Sequence, residues 1–232
     1  MKDRIGIYSP ARSLGGTLLA AHLFYYLREH GVRCCASSHG FRGERPLGLT
    51  RWQDIPKTPH EPACFQTLPR VPLEMGVGVY DVHAERFAEE LGELACDRWV
   101  IPIRDRETFE RGLELAFRLD RAAILVWNGA EPEVHQQVRL PFGRVRVAET
   151  ALPASELLRQ ADETTTPIWC LPGGADSSAG LAMLHVLREI LACHVAELDA
   201  AGRVPGGRPT TPPVCGECTL CKHSQQRARS AA

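Results

Sequence analysis

The chain has 232 residues, 44% of them hydrophobic and only 6% aromatic, and a formal net charge of −1 at pH 7. That length fits one full α/β domain with a tail, but not two large domains. The balanced charge excludes a strongly basic nucleic-acid coat and a disordered acidic chain. We find neither a signal-like segment nor an apolar run of about 18 residues, so we predict a cytoplasmic protein without a membrane span.

The first elements predict a strand, a loop, a helix and a second strand. Residues 4–9 read as a strand and residues 10–16 as a loop containing two glycines. Apolar spacing then predicts a helix over 17–30 and a short strand over 32–36. Such a βαβ unit implies a parallel sheet with a right-handed crossover.

A long segment without clear periodicity follows. Residues 37–73 are rich in Pro, Gly, His and Arg, which predicts a loop of unusual length for a compact domain. Arg42, Arg45, Arg51 and Lys57 make this segment basic. Contact with nucleic acid is one interpretation, but a solvated loop is the more economical one.

Strands and helices then alternate to about residue 200. The predicted strands cover 76–81, 98–103, 122–127, 145–148 and, at one edge, 168–171; the predicted helices cover 84–95, 107–119, 155–160 and, after a cap at 176–178, a long segment ending near 198. This alternation predicts a doubly wound, mostly parallel sheet covered on both faces. We expect an α/β domain over 1–200, a Pro/Gly-rich linker over 201–214 and a Cys-rich tail over 215–232.

The loop before the first helix has the composition of a phosphate-binding turn. Residues 11–17 read A-R-S-L-G-G-T. Backbone N–H groups at a glycine turn and helix N-terminus form an anion cradle whatever the side chains are, so Gly15, Gly16 and Thr17 are candidate phosphate contacts. The alternative is an ordinary tight turn between a strand and a helix.

The order of elements over residues 4–200 resembles the ParA/MinD family of P-loop ATPases. Its loop pattern is K-G-G-x-G-K-T, and Gly15 and Thr17 match it, whereas Ala11 and Gly16 stand at the two lysine positions. The resemblance implies binding of ATP with magnesium. Hydrolysis needs a cation to neutralise charge on the transferring phosphoryl group, so we predict little or no ATPase activity.

Further positions match the family in part. The resemblance implies that Asp81 assists a magnesium ion, that Asn128 contacts the base and, more weakly, that Pro153 borders the base. Asp81 could instead cap a strand end, and Asn128 with Gly129 is also a common turn pair. The acidic switch residue usual after the second strand is missing, because residues 35–40 read C-A-S-S-H-G. We therefore interpret the domain as a degenerate relative.

The tail carries the sharpest local motif. Cys215, Cys218, Cys221 and His223 form C-x2-C-x2-C-x-H. Thiolates at this spacing can share one metal, and zinc and an iron–sulfur cluster both remain open, as does a tail that binds nothing. A C-x-x-C near the C-terminus is similar to that of Mrp-type iron–sulfur carriers, which share a cluster between two subunits.

Three hypotheses follow. The first is a degenerate ParA/MinD-like protein that serves plasmid or cell organisation, or acts as an accessory scaffold, with a homodimer or a partner protein expected. The second is a metal or iron–sulfur protein that works through its tail. The third is a scaffold that recognises a partner through residues 37–73.

The histidines His22, His30 and His39 lack helical ligand spacing and are predicted to be structural or solvated.

Overall fold

The computed structural model describes residues 3–11, 13–30, 32, 34–39, 77–82, 96–119, 121–129 and 143–200. The strands are β1 (Asp3–Tyr8), β2 (Cys34–His39), β3 (Val77–Val82), β4 (Arg98–Ile103), β5 (Ala122–Trp127) and β6 (Val145–Val147). The helices are α1 (Gly16–Glu29), α2 (Arg106–Arg118), α3 (Glu156–Thr164), a 3-10 turn (Ile168–Cys170) and α4 (Ser178–Ala200). The predicted helix over 84–95, most of the 37–73 loop, the linker and the tail lie outside the described residues.

All six strands pair in parallel, in the order β2-β3-β1-β4-β5-β6. Because strand side chains alternate between faces, the sheet has two cores. One contains Ile5, Ile7 and Val79 with the apolar faces of α1 and α4. The other contains Trp99 and Trp127 with α2. The predicted doubly wound α/β fold is thereby confirmed.

A buried ion pair joins β1 and β4 where these two strands begin, at the amino ends of the parallel strands. The Arg98 guanidinium binds the Asp3 carboxylate and also donates to the Ile190 carbonyl oxygen at 3.0 Å. Both side chains are buried, and a buried charge needs such compensation. The carboxyl edge, where β1, β3, β4 and β5 end, carries the polar residues described below.

The segment predicted as an edge strand over 168–171 is a 3-10 turn instead. Pro167 precedes it, and the Cys170 and Leu171 N–H groups donate to the Pro167 and Ile168 carbonyls at 2.8 and 3.1 Å. The Ile168 N–H donates to the ring Nε2 of His22 at 3.0 Å rather than to a neighbouring strand. Ile168 is buried in the core although the segment pairs with no strand of the described sheet. The prediction of a strand, which rests on the apolar residues alone, is therefore wrong.

His22 holds α1 to this turn. Its ring is fully buried, with Nδ1 2.7 Å from the Leu18 carbonyl oxygen and Nε2 accepting from Ile168. Burial lowers the pKa of His22 to about 4, so the ring is neutral at pH 7. The prediction of a structural role for this histidine is confirmed.

Helix starts differ in how they are capped. The Ser177 Oγ accepts from the Gly180 N–H at 2.9 Å, which confirms the predicted cap of α4. Asp105 and Thr108 form a capping box at α2.

No described helix is long and apolar enough to cross a membrane. Cys34, Cys35 and Cys96 are buried as small hydrophobes, whereas Cys170 is exposed.

Candidate phosphate-binding site

The loop between β1 and α1 has a backbone that only certain residues adopt without strain. Ser13 has a φ of 60° and Gly15 a φ of 78°, both in the left-handed region. Gly15 is the N-cap of α1, and no side chain caps this helix end. The first N–H groups of the helix, beginning at Gly16 and Thr17, are thus presented at the loop, as the sequence predicts.

A hydroxyl and a carboxylate meet at the base of this loop. The Thr17 Oγ1 donates to an Asp81 carboxylate oxygen at 2.9 Å. Asp81 is 1% exposed, and it lies in β3 opposite Ile7 of β1. Parallel pairing of β1 and β3 places the carboxylate beside the first turn of α1. Two oxygen donors therefore adjoin the candidate phosphate cradle, and such ligands suit magnesium.

Asn128 also contacts the loop. Its side-chain amide donates to the Leu14 carbonyl oxygen at 2.6 Å, and its backbone N–H donates to Ile103 at 2.8 Å. A Cβ placed on Gly15 would lie 2.2 Å from the Asn128 Nδ2. The amide thus packs against the glycine and fixes the loop. Gly129 follows it and donates to the Leu152 carbonyl oxygen at 2.8 Å, next to Pro153.

Arg104 is the site residue that sequence reasoning missed. It directly follows β4, and its Nη2 donates to the Ser13 carbonyl oxygen at 2.5 Å. Its Nε donates to the Asn128 carbonyl oxygen at 3.5 Å. The available signal was a basic residue at the carboxyl end of a predicted parallel strand, where ligands of such sheets bind.

The packing of Gly16 shows why a lysine does not simply fit there. A Cβ built on Gly16 would lie 2.1 Å from the Ser9 Oγ and 3.7 Å from Ile7. Ser9 is itself 9% exposed and follows β1. Loss of the lysine at this position is therefore accompanied by a serine that occupies the space of its Cβ.

The structure brings Gly15, Gly16, Thr17, Asp81 and Asn128 together at one edge of the sheet. What they bind remains a prediction. Among the described residues, no group of three or more His, Cys, Asp or Glu side chains could hold a metal ion. The predicted metal ligands Cys215, Cys218, Cys221 and His223 lie outside the described residues.

Solved structures share this architecture. The chain aligns with the septum site-determining protein MinD of Pyrococcus horikoshii, a complex with Mg-ADP, at 14% identity and a TM-score of 0.57, over 83% of this chain and 98% of that one. The MinD cell division protein of Aquifex aeolicus aligns at 14% identity and a TM-score of 0.56, over 82% and 97%. This chain has the MinD fold.

A third MinD structure, from the Aquifex aeolicus MinC:MinD complex, aligns at 11% identity with a TM-score of 0.54, over 82% of this chain and 96% of that one. No protein-family model and no curated protein sequence matches the chain. The resemblance to ParA/MinD P-loop proteins is thus confirmed as the MinD fold, and such distant similarity does not assign the chemistry of the loop.

Proposed function

We propose that this chain binds the phosphates of a nucleotide at the loop before α1 and turns over ATP slowly or not at all. The observation that supports this most is the Thr17 to Asp81 contact of 2.9 Å at a helix start that no side chain caps. Backbone N–H groups of Gly15, Gly16 and Thr17 would contact the phosphates. Thr17 and Asp81 would hold a magnesium ion, which neutralises phosphate charge when bound.

Slow turnover follows from what stands at the lysine positions. Ala11 and Gly16 carry no charge, so the loop itself provides no lysine to stabilise the transition state. Removing one such electrostatic contact typically costs about 10²- to 10³-fold in rate. Binding is less affected, because backbone donors remain. The Asn128 amide would either contact the nucleotide base directly or hold the phosphate loop in the position that binds the nucleotide. Pro153 would lie near the base.

Calorimetry with and without magnesium tests this proposal. We expect Mg-ATP and Mg-ADP to bind wild type, and Thr17→Val to weaken Mg-ATP binding by about tenfold while leaving binding in EDTA unchanged. Thr17→Ser keeps the hydroxyl and is the matched control. A phosphate-release assay should show turnover far below that of lysine-containing relatives. Absence of nucleotide binding, or fast turnover that Thr17→Val abolishes, would refute the proposal.

We propose further that the protein serves as an accessory or scaffold in plasmid or cell organisation in the cytoplasm, as a homodimer or with a partner protein. The support is the MinD fold, and one aligned structure is a complex of MinD with MinC. Light scattering with and without Mg-ATP tests self-association. A monomer under both conditions would exclude the homodimer and leave the partner protein.

A second candidate function is metal or iron–sulfur binding by the tail over 215–232, beyond the linker over 201–214. The observation that favours it is the spacing of Cys215, Cys218, Cys221 and His223. Anaerobic purification with elemental analysis and a visible spectrum distinguishes zinc from iron. A double variant, Cys218→Ser with Cys221→Ser, should lose the metal, whereas Cys34→Ser should retain it. Metal-free, colourless wild type would exclude this function.

A further inference from the structure

Arg104 has its backbone fixed where β4 becomes α2. Its N–H donates to the Thr108 Oγ1 at 2.9 Å, and the same hydroxyl accepts from the Asp105 N–H at 3.0 Å. Asp105 is the N-cap of α2. The capping box thereby sets the position from which the Arg104 side chain leaves the sheet edge.

The guanidinium of Arg104 is held at the phosphate loop from two sides. It donates to the Ser13 carbonyl oxygen from one nitrogen and to the Asn128 carbonyl oxygen from another. Ser13 lies 91 positions away in the sequence and is in the turn that leads into Gly15. A residue from the middle of the chain therefore places a cation beside the loop.

The charge of Arg104 is available to a ligand. Its two hydrogen-bond partners among the described residues are neutral carbonyl oxygens, and a guanidinium has five N–H donors. The neighbouring Asp105 carboxylate accepts from Thr108. Its pKa is lowered mainly by those hydrogen bonds and to a smaller extent by the Arg104 charge. Nearby Arg106 differs, because its Nε binds the Glu110 carboxylate at 2.9 Å. The Arg104 side chain is exposed, so a phosphate can reach it without displacing a buried ion pair.

We infer that Arg104 binds the nucleotide phosphates and supplies the positive charge that Ala11 and Gly16 no longer provide. The inference rests on the function proposed above. Guanidinium groups bind phosphate oxygens through paired N–H donors, and a cation at this edge complements the backbone amides of α1.

Calorimetry with Mg-ATP, Mg-ADP and adenosine tests this role. We expect Arg104→Gln to weaken binding of Mg-ATP and Mg-ADP by about tenfold or more and to leave adenosine binding unchanged. Arg104→Lys keeps the charge and should recover part of the loss. Arg106→Gln removes the same charge two positions away and should bind like wild type. Circular dichroism and thermal unfolding establish that each variant is folded.

The outcomes separate the two claims. If wild type binds Mg-ATP and Arg104→Gln binds it within about twofold of wild type, the role of Arg104 is overturned and the proposed function stands. If Arg104→Gln weakens adenosine as much as Mg-ATP, the residue shapes the loop and does not contact phosphate, which also overturns the inference. If wild type binds neither Mg-ATP nor Mg-ADP, both the proposed function and the inference fail.

Discussion

The starts of α1 and α2 solve the same physical problem in opposite ways. Each leaves backbone N–H groups without intrahelical acceptors. At α2 the N-cap Asp105 accepts from the Thr108 N–H through its side chain, and the Thr108 hydroxyl accepts from the Asp105 N–H. In α1 the N-cap is Gly15, which has no side chain, and the surrounding residues come from the ends of other strands.

The bodies of the two helices differ in the corresponding way. Eleven of the fourteen residues of α1 are buried, against four of thirteen in α2. Exposed Glu–Arg pairs line α2, at Glu107 with Arg111 and at Glu114 with Arg118. Burial of its apolar side chains stabilises α1 without a side-chain cap, whereas the more exposed α2 has a capping box.

The largest effect is expected at Gly15, the N-cap of α1. Gly15→Ala forces a side chain into a φ of 78° and against the Asn128 amide, so we expect a loss of about 2–4 kcal/mol in the free energy of unfolding. Urea denaturation measures it.

Two comparisons separate the cost of backbone strain at Gly15 from the cost of the clash with the Asn128 amide. Gly173→Ala is the matched control, because Gly173 has a φ of 70° and a Cβ at this position would meet nothing within 4 Å. It should cost only the backbone strain, about 1–2 kcal/mol. In an Asn128→Ala background the cost of Gly15→Ala should fall to a similar value. Equal costs at Gly15 with and without Asn128 would show that this amide does not restrain the loop.

The next effect concerns the body of α1. The pKa of His22 is about 4 in the folded state because of burial, against about 6.5 when unfolded. Between these values only the unfolded chain binds the proton, so the free energy of unfolding should fall with falling pH, by up to about 1.4 kcal/mol per pH unit. Urea denaturation from pH 7.5 to 5 measures this slope.

His22→Gln provides the comparison, since glutamine can accept the Ile168 bond but does not titrate. We expect this variant to be less stable at pH 7 and to show a shallower dependence on pH. Slopes that coincide in the two proteins would mean that other groups carry the pH dependence.

The smallest effect is expected at Asp105, the N-cap of α2. Asp105→Ala removes the cap of α2 and should cost about 1 kcal/mol in the free energy of unfolding. Ser155→Ala is the control, because Ser155 is the N-cap of α3 but its side chain makes no capping hydrogen bond. A cost at Ser155 as large as at Asp105 would contradict a specific role for the capping box.

The sequence was sufficient for features that depend on local periodicity. The sequence predicts strands β4 and β5 at their observed bounds, because residues 99–103 and 122–127 are continuous apolar runs, as expected of buried parallel strands. The glycine turn before α1 was also predicted, since Gly15 and Gly16 interrupt the pattern between a strand and a helix.

Asp81 and Asn128 are expected near the loop only through the family resemblance, and other contacts between distant residues do not follow from the sequence pattern. The sequence places Arg104 at the carboxyl end of a predicted strand, but it does not indicate the contacts of Arg104 with Ser13 and Asn128, because these residues come from other parts of the chain. The sequence predicts a strand over 168–171, because a short apolar run has no period that distinguishes a strand from a buried turn. The hydrogen bond from Ile168 to His22, which links residues 146 positions apart, decides its geometry.

The spread of these contacts along the chain sets when a binding site can exist during synthesis. The loop is among the first segments made, but Thr17 meets a residue 64 positions later, Ser13 one 91 positions later and Leu14 one 114 positions later. A nascent chain that ends before β5 has the glycines but lacks Asn128. Under the proposed function, nucleotide capture by ribosome-bound chains of increasing length would therefore report the completion of the sheet through β5.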